Sequence, residues 1–284
     1  MATGTVIVTG ASTGIGEATA THLHSLGFSV LAGVRSVEDA RLVTARGLDR
    51  MSPLILDVTD PASIAAAADQ VEDELAGIGL AGLVNNAGIA VSAPLEFVPI
   101  GDLRMQLEVN VIGQVAVTQA FLGLVRVAQG RVVNMGSIGG RVALPMVGPY
   151  AASKFALESI TDTLRRELHG QGIDVVVIEP GGIKTPIWDK GTATADRIAE
   201  DSPPEAIALY GRLIDAVRRA TTEIATDTGL PPSAVAEAVG RAMTARRPRT
   251  RYLVGRDAKL RALAARVLPD RAFDWVVQRA LGRS

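Results

Sequence analysis

Near the N-terminus, the strand-like run Thr5-Val6-Ile7-Val8 is followed by Thr9-Gly10-Ala11-Ser12-Thr13-Gly14-Ile15-Gly16. Glycines at such a junction let the backbone turn sharply and approach a pyrophosphate, and the positive end of the next helix favours its negative charge. The turn therefore predicts a dinucleotide site, although any tight turn would need the same glycines. Three residues rather than one separate the first two glycines, so the spacing differs from the strict G-x-G-x-x-G.

The rest of the chain alternates short β-branched runs with longer helical patterns. This alternation predicts an α/β fold: a doubly wound, Rossmann-like parallel sheet of about seven strands with helices on both faces. The predicted strands are Thr5–Thr9, Ser29–Val34, Leu54–Leu56, Leu83–Asn85, Arg131–Met135, Asp174–Ile178 and Arg251–Val254. We expect a single domain over residues 1–284, in which residues 186–232 form a helical lid insertion and residues 233–284 a C-terminal helical tail.

The composition excludes several classes of protein. Hydrophobic residues make up 48% of the 284 residues and the formal charge is −1, which is typical of a globular chain and not of a nucleic-acid binder. Basic residues concentrate at 246–251 and 256–266. We interpret them as a solvated helix face, with an acidic partner or a membrane surface as the alternative.

Cysteine is absent, which excludes disulfides, a thiol nucleophile and Cys-ligated zinc. The three histidines, His22, His24 and His169, lack the spacing of metal ligands, so we expect no metal site. The apolar stretch Val109–Ala128 is interrupted by polar residues and indicates a buried helix rather than a membrane span. No secretory signal is recognisable before the first strand, so we expect a cytoplasmic protein.

The spacing of the first turn resembles the T-G-x-x-x-G-I-G of the short-chain dehydrogenase/reductase family, and further motifs follow in family order. Asn85-Asn86-Ala87-Gly88 is similar to the family's N-N-A-G, and Pro180-Gly181-Gly182-Ile183-Lys184-Thr185 to the segment that meets the nicotinamide. The catalytic tetrad that the resemblance implies is Asn110, Ser137, Tyr150 and Lys154. The likeness covers residues 3–186 well and continues more weakly to the C-terminus, where it points to the steroid- and retinol-acting branches.

The resemblance implies an NAD(P)-dependent oxidoreductase that acts on CH–OH groups. The cofactor-binding residues that it implies are Gly10, Ser12, Thr13, Gly14, Ile15, Gly16, Arg35, Asp57, Val58, Asn86, Ala87, Gly88, Tyr150, Lys154, Pro180, Gly181, Ile183 and Thr185. Each signal alone has a structural explanation, since a Tyr and a Lys four residues apart are simply neighbours on a helix. Their common order, at the positions where a doubly wound sheet gathers its ligands, favours the enzyme.

Tyrosine at position 150 needs help to act as a base, because its ordinary pKa is about 10. A decrease of about three units requires about 4 kcal/mol of preferential phenolate stabilisation. We expect Lys154 and the positive nicotinamide ring to supply it jointly. By family likeness, Ser137 holds the substrate oxygen and Asn110 anchors a water.

The cofactor preference depends on the end of the second strand. NAD-specific sites of this fold place an acidic residue there to bind the ribose 2′-hydroxyl. Arg35 follows this strand instead and suits a 2′-phosphate, so NADP(H) is favoured. NAD(H) is the alternative, because the nearby Glu38 and Asp39 would repel a phosphate.

Apolar side chains in residues 138–147 and in the predicted lid indicate a hydrophobic ketone or secondary alcohol, such as a steroid, retinoid or lipid-like compound. The residues concerned are Leu144, Pro145, Met146, Val147, Ile187, Trp188, Ile207, Leu209 and Tyr210. Core packing explains the same residues equally well.

Two other functions stay open: a 3-oxoacyl-acyl-carrier-protein reductase and a non-catalytic cofactor-sensing protein. Apolar helices around Val109–Ala128 and Tyr150–His169 resemble those that form a homodimer or homotetramer interface in the family.

Overall fold

A computed structural model describes residues 3–281 and contains one sheet of seven parallel strands in the order β3-β2-β1-β4-β5-β6-β7. The strands are β1 (Thr5–Thr9), β2 (Ser29–Val34), β3 (Met51–Ile55), β4 (Leu80–Asn85), β5 (Arg131–Met135), β6 (Asp174–Pro180) and β7 (Arg251–Val254). The order reverses between β1 and β4, and ligands of such sheets bind beyond the carboxyl ends of the strands at this point. The predicted doubly wound fold is confirmed.

Helices connect the strands and cover both faces of the sheet. They are α1 (Gly14–Ser25), α2 (Val37–Thr44), α3 (Pro61–Leu75), α4 (Ile100–Leu107), α5 (Gly113–Val127), α6 (Gly148–Glu167), α7 (Ile187–Glu200), α8 (Pro204–Glu223), α9 (Pro232–Thr244), α10 (Arg256–Val267) and α11 (Asp270–Ala280). A π turn at Glu108–Ile112 joins α4 to α5, and another at Ile224–Thr228 follows α8.

The core consists of two apolar layers, one on each face of the sheet. Strand β1 serves both, because alternate side chains of a strand point to opposite faces. Val6 and Val8 join the layer that includes Leu23 of α1 and Val239 of α9, whereas Ile7 joins the layer with Phe121 of α5. All six side chains are completely buried, so the central strand is anchored from both sides.

The strand boundaries differ from the prediction mainly at β3. The prediction was Leu54–Leu56, but the strand runs from Met51 to Ile55 and includes Pro53. Strand β3 lies at the edge of the sheet, with β2 as its one neighbour, and an edge strand tolerates a proline. Strand β4 begins three residues earlier than predicted, at Leu80, and β6 extends to Pro180.

Residues 186–232 are helical, as the insertion at this position was expected to be. Helix α7 packs through Ile198 against Val91 and Val98, in the loop after β4. The segment then returns to the sheet at Leu230, whose N–H donates to the Gly182 carbonyl at 2.9 Å. Its movement as a lid stays a prediction.

The helical segment Ile100–Val127 is, by length and composition, apolar enough to cross a membrane, and 39% of its most apolar window is buried. Helix α5, its second half, buries Val117, Phe121 and Val125 completely against the sheet. Core helices meet the same two criteria of length and composition. The absence of a membrane span therefore stays a prediction.

Candidate active site

The glycine-rich turn after β1 has the backbone that only glycine adopts readily. Gly10 and Gly14 have φ values of +63° and +61°, in the left-handed region. Helix α1 begins at Gly14, and its N-cap residue Thr13 makes no side-chain capping bond to the described residues. The first N–H groups of α1 thus remain available to a negatively charged ligand.

The turn after β4 is bonded directly to this glycine-rich turn. Thr9 Oγ1 accepts hydrogen bonds from the N–H groups of Asn86 and Ala87, both at 2.9 Å. Asn86 Nδ2 donates to the carbonyls of Thr9 at 2.9 Å and Gly10 at 3.2 Å. The Asn86 side chain therefore braces the turn, and the contact of residues 86–88 with the adenosine side of the cofactor stays a prediction.

Arg46 also holds the glycine-rich turn, and no local sequence pattern predicted this contact. Its guanidinium lies 34 residues away in the sequence and donates from Nη2 to the Ser12 carbonyl at 3.0 Å. The same nitrogen lies 3.1 Å from Glu17 Oε1, in the first turn of α1. An arginine at the end of an exposed helix usually contacts solvent, so only the tertiary structure identifies this one.

Asn110 lies in the π turn between α4 and α5 and is completely buried. Its Oδ1 accepts from the Ile89 N–H at 2.9 Å, and its Nδ2 donates to the Ile89 carbonyl at 3.0 Å and to Ser153 Oγ at 3.1 Å. Single π turns within helices occur frequently at functional sites. The side chain of Asn110 thus ties the loop after β4 to α6, the helix that carries Tyr150.

Two buried glutamines, each four residues from Asn110, extend this contact. Gln106 Oε1 accepts from the Val91 N–H at 2.7 Å, and Gln114 Nε2 donates to the Ala87 carbonyl at 3.0 Å. Sequence reasoning missed their function and treated Gln114 only as a polar interruption. The spacing of four residues between polar side chains in an apolar helix was the available signal.

Tyr150 lies in the first turn of α6, with Ser137 after β5 opposite to it. A Cβ at Gly139 would lie 3.2 Å from Tyr150 Cε1 and 3.4 Å from Ser137 Oγ, so the two side chains are neighbours. Burial raises the pKa of Tyr150 above its usual value, and the Ser137 hydroxyl opposes this effect. Lys154 Nζ donates to the Met135 carbonyl at 2.7 Å and lies 5.7 Å from the centre of the Tyr150 ring. Burial lowers the pKa of Lys154 to about 8, against the negative charge of Glu158.

The described residues alone therefore do not lower the pKa of Tyr150, as was expected, but raise it. The ammonium of Lys154 is bonded to a backbone carbonyl, and the desolvation of Tyr150 outweighs the opposing effect of the Ser137 hydroxyl on its pKa. The structure nevertheless brings three of the four predicted catalytic side chains together, and Asn110 contacts Ser153 one residue before Lys154.

The end of β2 opens into a cleft of about 420 Å³. Its lining residues are Arg35, Ile55, Asp57, Asp60, Ser63, Ala66, Ala67 and Gln70. Arg35 is exposed, Val58 is buried, and Asp57 Oδ1 accepts two hydrogen bonds from Thr59. Neither Glu38 nor Asp39 is among the described residues that line the cleft, although both were expected to repel a phosphate.

The segment after β6 lies against the glycine-rich turn. A Cβ at Gly14 would lie 3.4 Å from Cβ of Thr185, so the two segments are in van der Waals range. Asp257 Oδ2 accepts from the Gly182 N–H at 2.9 Å, and the same oxygen would lie 2.2 Å from a Cβ at Gly181. Pro180 ends β6 and Ile183 is buried, so this predicted cofactor segment is fixed by its neighbours. Asp257 was not predicted.

These residues fit a nicotinamide dinucleotide. The helix end without a side-chain cap suits the pyrophosphate, and the cleft beside Arg35 suits the adenosine half. Tyr150 and its neighbour Ser137, with Lys154 on the next turn of α6, lie beyond β5, on the other side of the switch point. The groups that suit both halves of the cofactor therefore lie beyond the carboxyl ends of the strands, on the same side of the sheet.

Comparison with known proteins agrees with this geometry. A family model described as short chain dehydrogenase matches residues 4–196. Over 280 residues the chain is 36% identical to an NADPH-dependent 3-dehydrocapnine reductase of Ornithobacterium rhinotracheale, covering 97% of this chain and 96% of the relative. Over 285 residues it is 37% identical to retinol dehydrogenase 5 of Mus musculus, covering 98% and 89%.

A solved structure extends the likeness to the whole fold. A short-chain dehydrogenase from Streptomyces avermitilis superposes with a TM-score of 0.79 at 26% identity, covering 100% of this chain and 98% of that one. The chain therefore belongs to the short-chain dehydrogenase/reductase family, whose members are NAD(P)-dependent oxidoreductases that act on CH–OH groups.

Proposed function

We propose that this protein transfers a hydride between NADP(H) and a hydrophobic ketone or secondary alcohol, with Tyr150 as the general acid and base. The observation that carries the proposal is the adjacent pair of Tyr150 and Ser137, both next to Gly139, with the buried Lys154 on the next turn of α6. Three side chains of different chemistry converge there beside a dinucleotide site. A structural role alone does not require a buried lysine.

The residues divide the work of the reaction. The nicotinamide, when bound, supplies or accepts the hydride. In the direction of reduction, Ser137 holds the substrate oxygen and Tyr150 donates its hydroxyl proton to that oxygen. The raised pKa of Tyr150 keeps this proton in place at neutral pH. Lys154 carries a positive charge below a pH of about 8 and favours the phenolate that remains.

The preference for NADP(H) is supported by Arg35, an exposed cation at the end of β2 that lines the cleft. Guanidinium groups bind phosphate with two parallel hydrogen bonds. The relative from Ornithobacterium rhinotracheale is named as NADPH-dependent. NAD(H) is the second candidate cofactor, because Asp57 and Asp60 line the same cleft.

The hydrophobic substrate is supported by the name of the retinol dehydrogenase relative and by the exposed apolar side chains of the predicted lid. Ile207 and Leu209 of α8 are 48% and 55% exposed. Core packing, the alternative explanation, therefore does not account for these two residues. A retinoid, steroid or lipid-like ketone or alcohol fits such an apolar surface.

Self-association into a homodimer or homotetramer is part of the proposal. Ile112, Val127 and Phe155 are 53%, 60% and 44% exposed on the two helical segments that the family resemblance places at an interface. Light scattering at micromolar concentration checks this, and a monomer there contradicts it. The cytoplasmic location stays a prediction.

The experiment is a turnover screen of NADPH and NADH against hydrophobic ketones and alcohols. We expect Tyr150→Phe to abolish turnover while it retains cofactor binding. Tyr252→Phe is the matched control, because its hydroxyl accepts only from the Arg249 N–H at 3.1 Å among the described contacts, and we expect unchanged turnover.

Two outcomes would favour the other functions. Turnover confined to thioesters of acyl carrier protein would identify a 3-oxoacyl-acyl-carrier-protein reductase. Tight cofactor binding without turnover of any ketone or alcohol would identify a cofactor-sensing protein.

A further inference from the structure

Behind the catalytic residues, α6 continues into a buried pair of carboxyl groups that the proposed mechanism does not use. Glu158 lies one turn after Lys154 on the same face of α6 and is 9% exposed, and Glu179 of β6 is completely buried. Arg251 Nε lies 3.2 Å from Glu158 Oε2 and 3.5 Å from Glu179 Oε1. The two carboxyl groups therefore share one cationic neighbour and lie close together.

Each carboxyl group uses only one of its oxygens for an arginine. Arg141 Nε donates to Glu179 Oε1 at 2.7 Å, and Arg251 Nη2 donates to Glu158 Oε2 at 3.0 Å. Glu158 Oε1 and Glu179 Oε2 are both buried and have no hydrogen-bond partner among residues 3–281. Two carboxylates in such proximity cannot both ionise without a large electrostatic cost, and a proton held between them removes that cost.

The pair lies directly beneath the catalytic loop. A Cβ at Gly136 would lie 3.1 Å from Glu158 Oε1, and a Cβ at Gly140 would lie 3.0 Å from Glu158 Cγ. These two glycines flank Ser137, and the residue before Gly136 supplies the carbonyl that binds Lys154. A change of charge on Glu158 therefore changes the electrostatic potential at Lys154, one helical turn away.

We propose that Glu158 and Glu179 share one proton, and that loss of this proton places a negative charge opposite Lys154. Glu158 is then a positioning residue that acts through Lys154. The shared proton is independent of the proposed function, whereas the effect on catalysis through Lys154 rests on it. Below the midpoint the pair carries one negative charge, and above it two. The additional charge holds the ammonium of Lys154 in its protonated form at higher pH.

The direction of the pKa shifts agrees with this arrangement. Burial and the neighbouring Glu179 raise the pKa of Glu158 to about 7, against Arg251, which lowers it. The charge of Glu158 in turn raises the pKa of Lys154. The charged groups that surround the pair are Lys154, Asp162 and Arg165 on α6, Arg251 on β7, and Arg141 after β5.

The first experiment observes the proton directly. Carbon-13 NMR of protein labelled at the glutamate carboxyl carbon is recorded across pH. We expect one glutamate resonance with a midpoint near 7, which is absent from Glu158→Gln and moves to lower pH in Glu179→Gln. If every glutamate of the wild-type protein titrates below about pH 5, the proposal is wrong. The wild-type titration needs neither turnover nor a folded variant, and the two variants assign the resonance.

The second experiment tests the link to Lys154 through the pH dependence of kcat/KM for ketone reduction. In Glu158→Gln the negative charge is lost, so we expect the alkaline limb to move to lower pH by about one unit. Asp162→Asn is the matched control, since it removes another partner of Arg251 two turns from Lys154 and should leave the limb in place.

A uniform loss of rate in Glu158→Gln with an unmoved limb would show a purely structural role and overturn the link to Lys154. Absence of turnover in the wild-type protein would instead contradict the proposed function. In that case the NMR titration still decides whether the proton is shared.

Discussion

Gly16 is the position in the glycine-rich turn where a single methyl group should be most damaging. A Cβ there would lie 2.1 Å from the Gly10 carbonyl oxygen and 2.5 Å from Asn86 Nδ2. The first neighbour is backbone, and the second is fixed by hydrogen bonds to the carbonyls of Thr9 and Gly10. Neither can move without breaking the contact between the β1 and β4 turns.

The expected cost of Gly16→Ala follows from these contacts. Overpacking costs about 1–3 kcal/mol, and displacement of the Asn86 amide loses two hydrogen bonds of about 1 kcal/mol each. Alanine regains about 0.5–1 kcal/mol because it favours the helix over glycine. We therefore expect the free energy of unfolding to fall by about 2–4 kcal/mol. If about 2 kcal/mol of this distortion persists at the pyrophosphate site, the affinity for NADPH falls about 30-fold.

The measurements are urea unfolding and calorimetric titration with NADPH. Gly123→Ala in α5 is the matched control, because no heavy atom of the described residues outside its own helix lies within 4 Å of the added Cβ. It should be neutral or stabilising by about 0.5–1 kcal/mol and bind NADPH normally. Wild-type stability and affinity in Gly16→Ala would refute the argument that close approach at this position requires glycine.

Three further predictions concern cofactor choice, the buried amides and the lysine. Arg35→Ala should weaken NADPH binding at least about 10-fold with little change for NADH, as titration with both cofactors will show. Gln106→Leu leaves the Val91 N–H without its side-chain partner and removes one of the two side-chain amides that donate to the Ile89 carbonyl. It should lower the free energy of unfolding by about 2–4 kcal/mol in urea. Lys154 has a folded pKa of about 8 against 10.5 unfolded, so the unfolded chain holds more protons between these values and stability rises with pH. The difference in unfolding free energy between wild type and Lys154→Met should therefore rise by up to about 3 kcal/mol over this range, and a constant difference would contradict it.

Most of the sheet was predictable because its central strands are buried on both faces and have the apolar sequence that such burial requires. Val6, Ile7 and Val8 form a continuous β-branched run, which is typical of a parallel strand covered on both faces. Strand β3 lacks this signal, since Ser52 and Ile55 face solvent and Pro53 interrupts the run. Its identity depends on pairing with β2, a tertiary contact that no local pattern contains.

The motifs of the site were predictable from the sequence, but the distant side chains that hold these motifs in place were not. Glycine spacing and the Tyr150 to Lys154 spacing are local and visible in the sequence. The groups that fix them come from distant parts of the chain: Arg46 reaches Ser12 across 34 residues, and Asp257 reaches Gly182 across 75. An aspartate in the first turn of a helix is common for reasons of helix stability alone, so Asp257 gave no sign of this contact.

The protonation of Tyr150 and Lys154 is the property of the site for which the sequence is least informative and the structure most. The i,i+4 spacing predicts an ammonium beside a phenol, but it does not predict which charge survives burial. In the fold, burial raises the pKa of Tyr150 and lowers that of Lys154, so packing alone favours the neutral form of both groups. The negative charge of Glu158 opposes this for Lys154. The protonation of the catalytic pair near neutral pH is therefore a balance between desolvation and a carboxyl group one turn further along α6, and substitutions there should change the pH dependence before they change the fold.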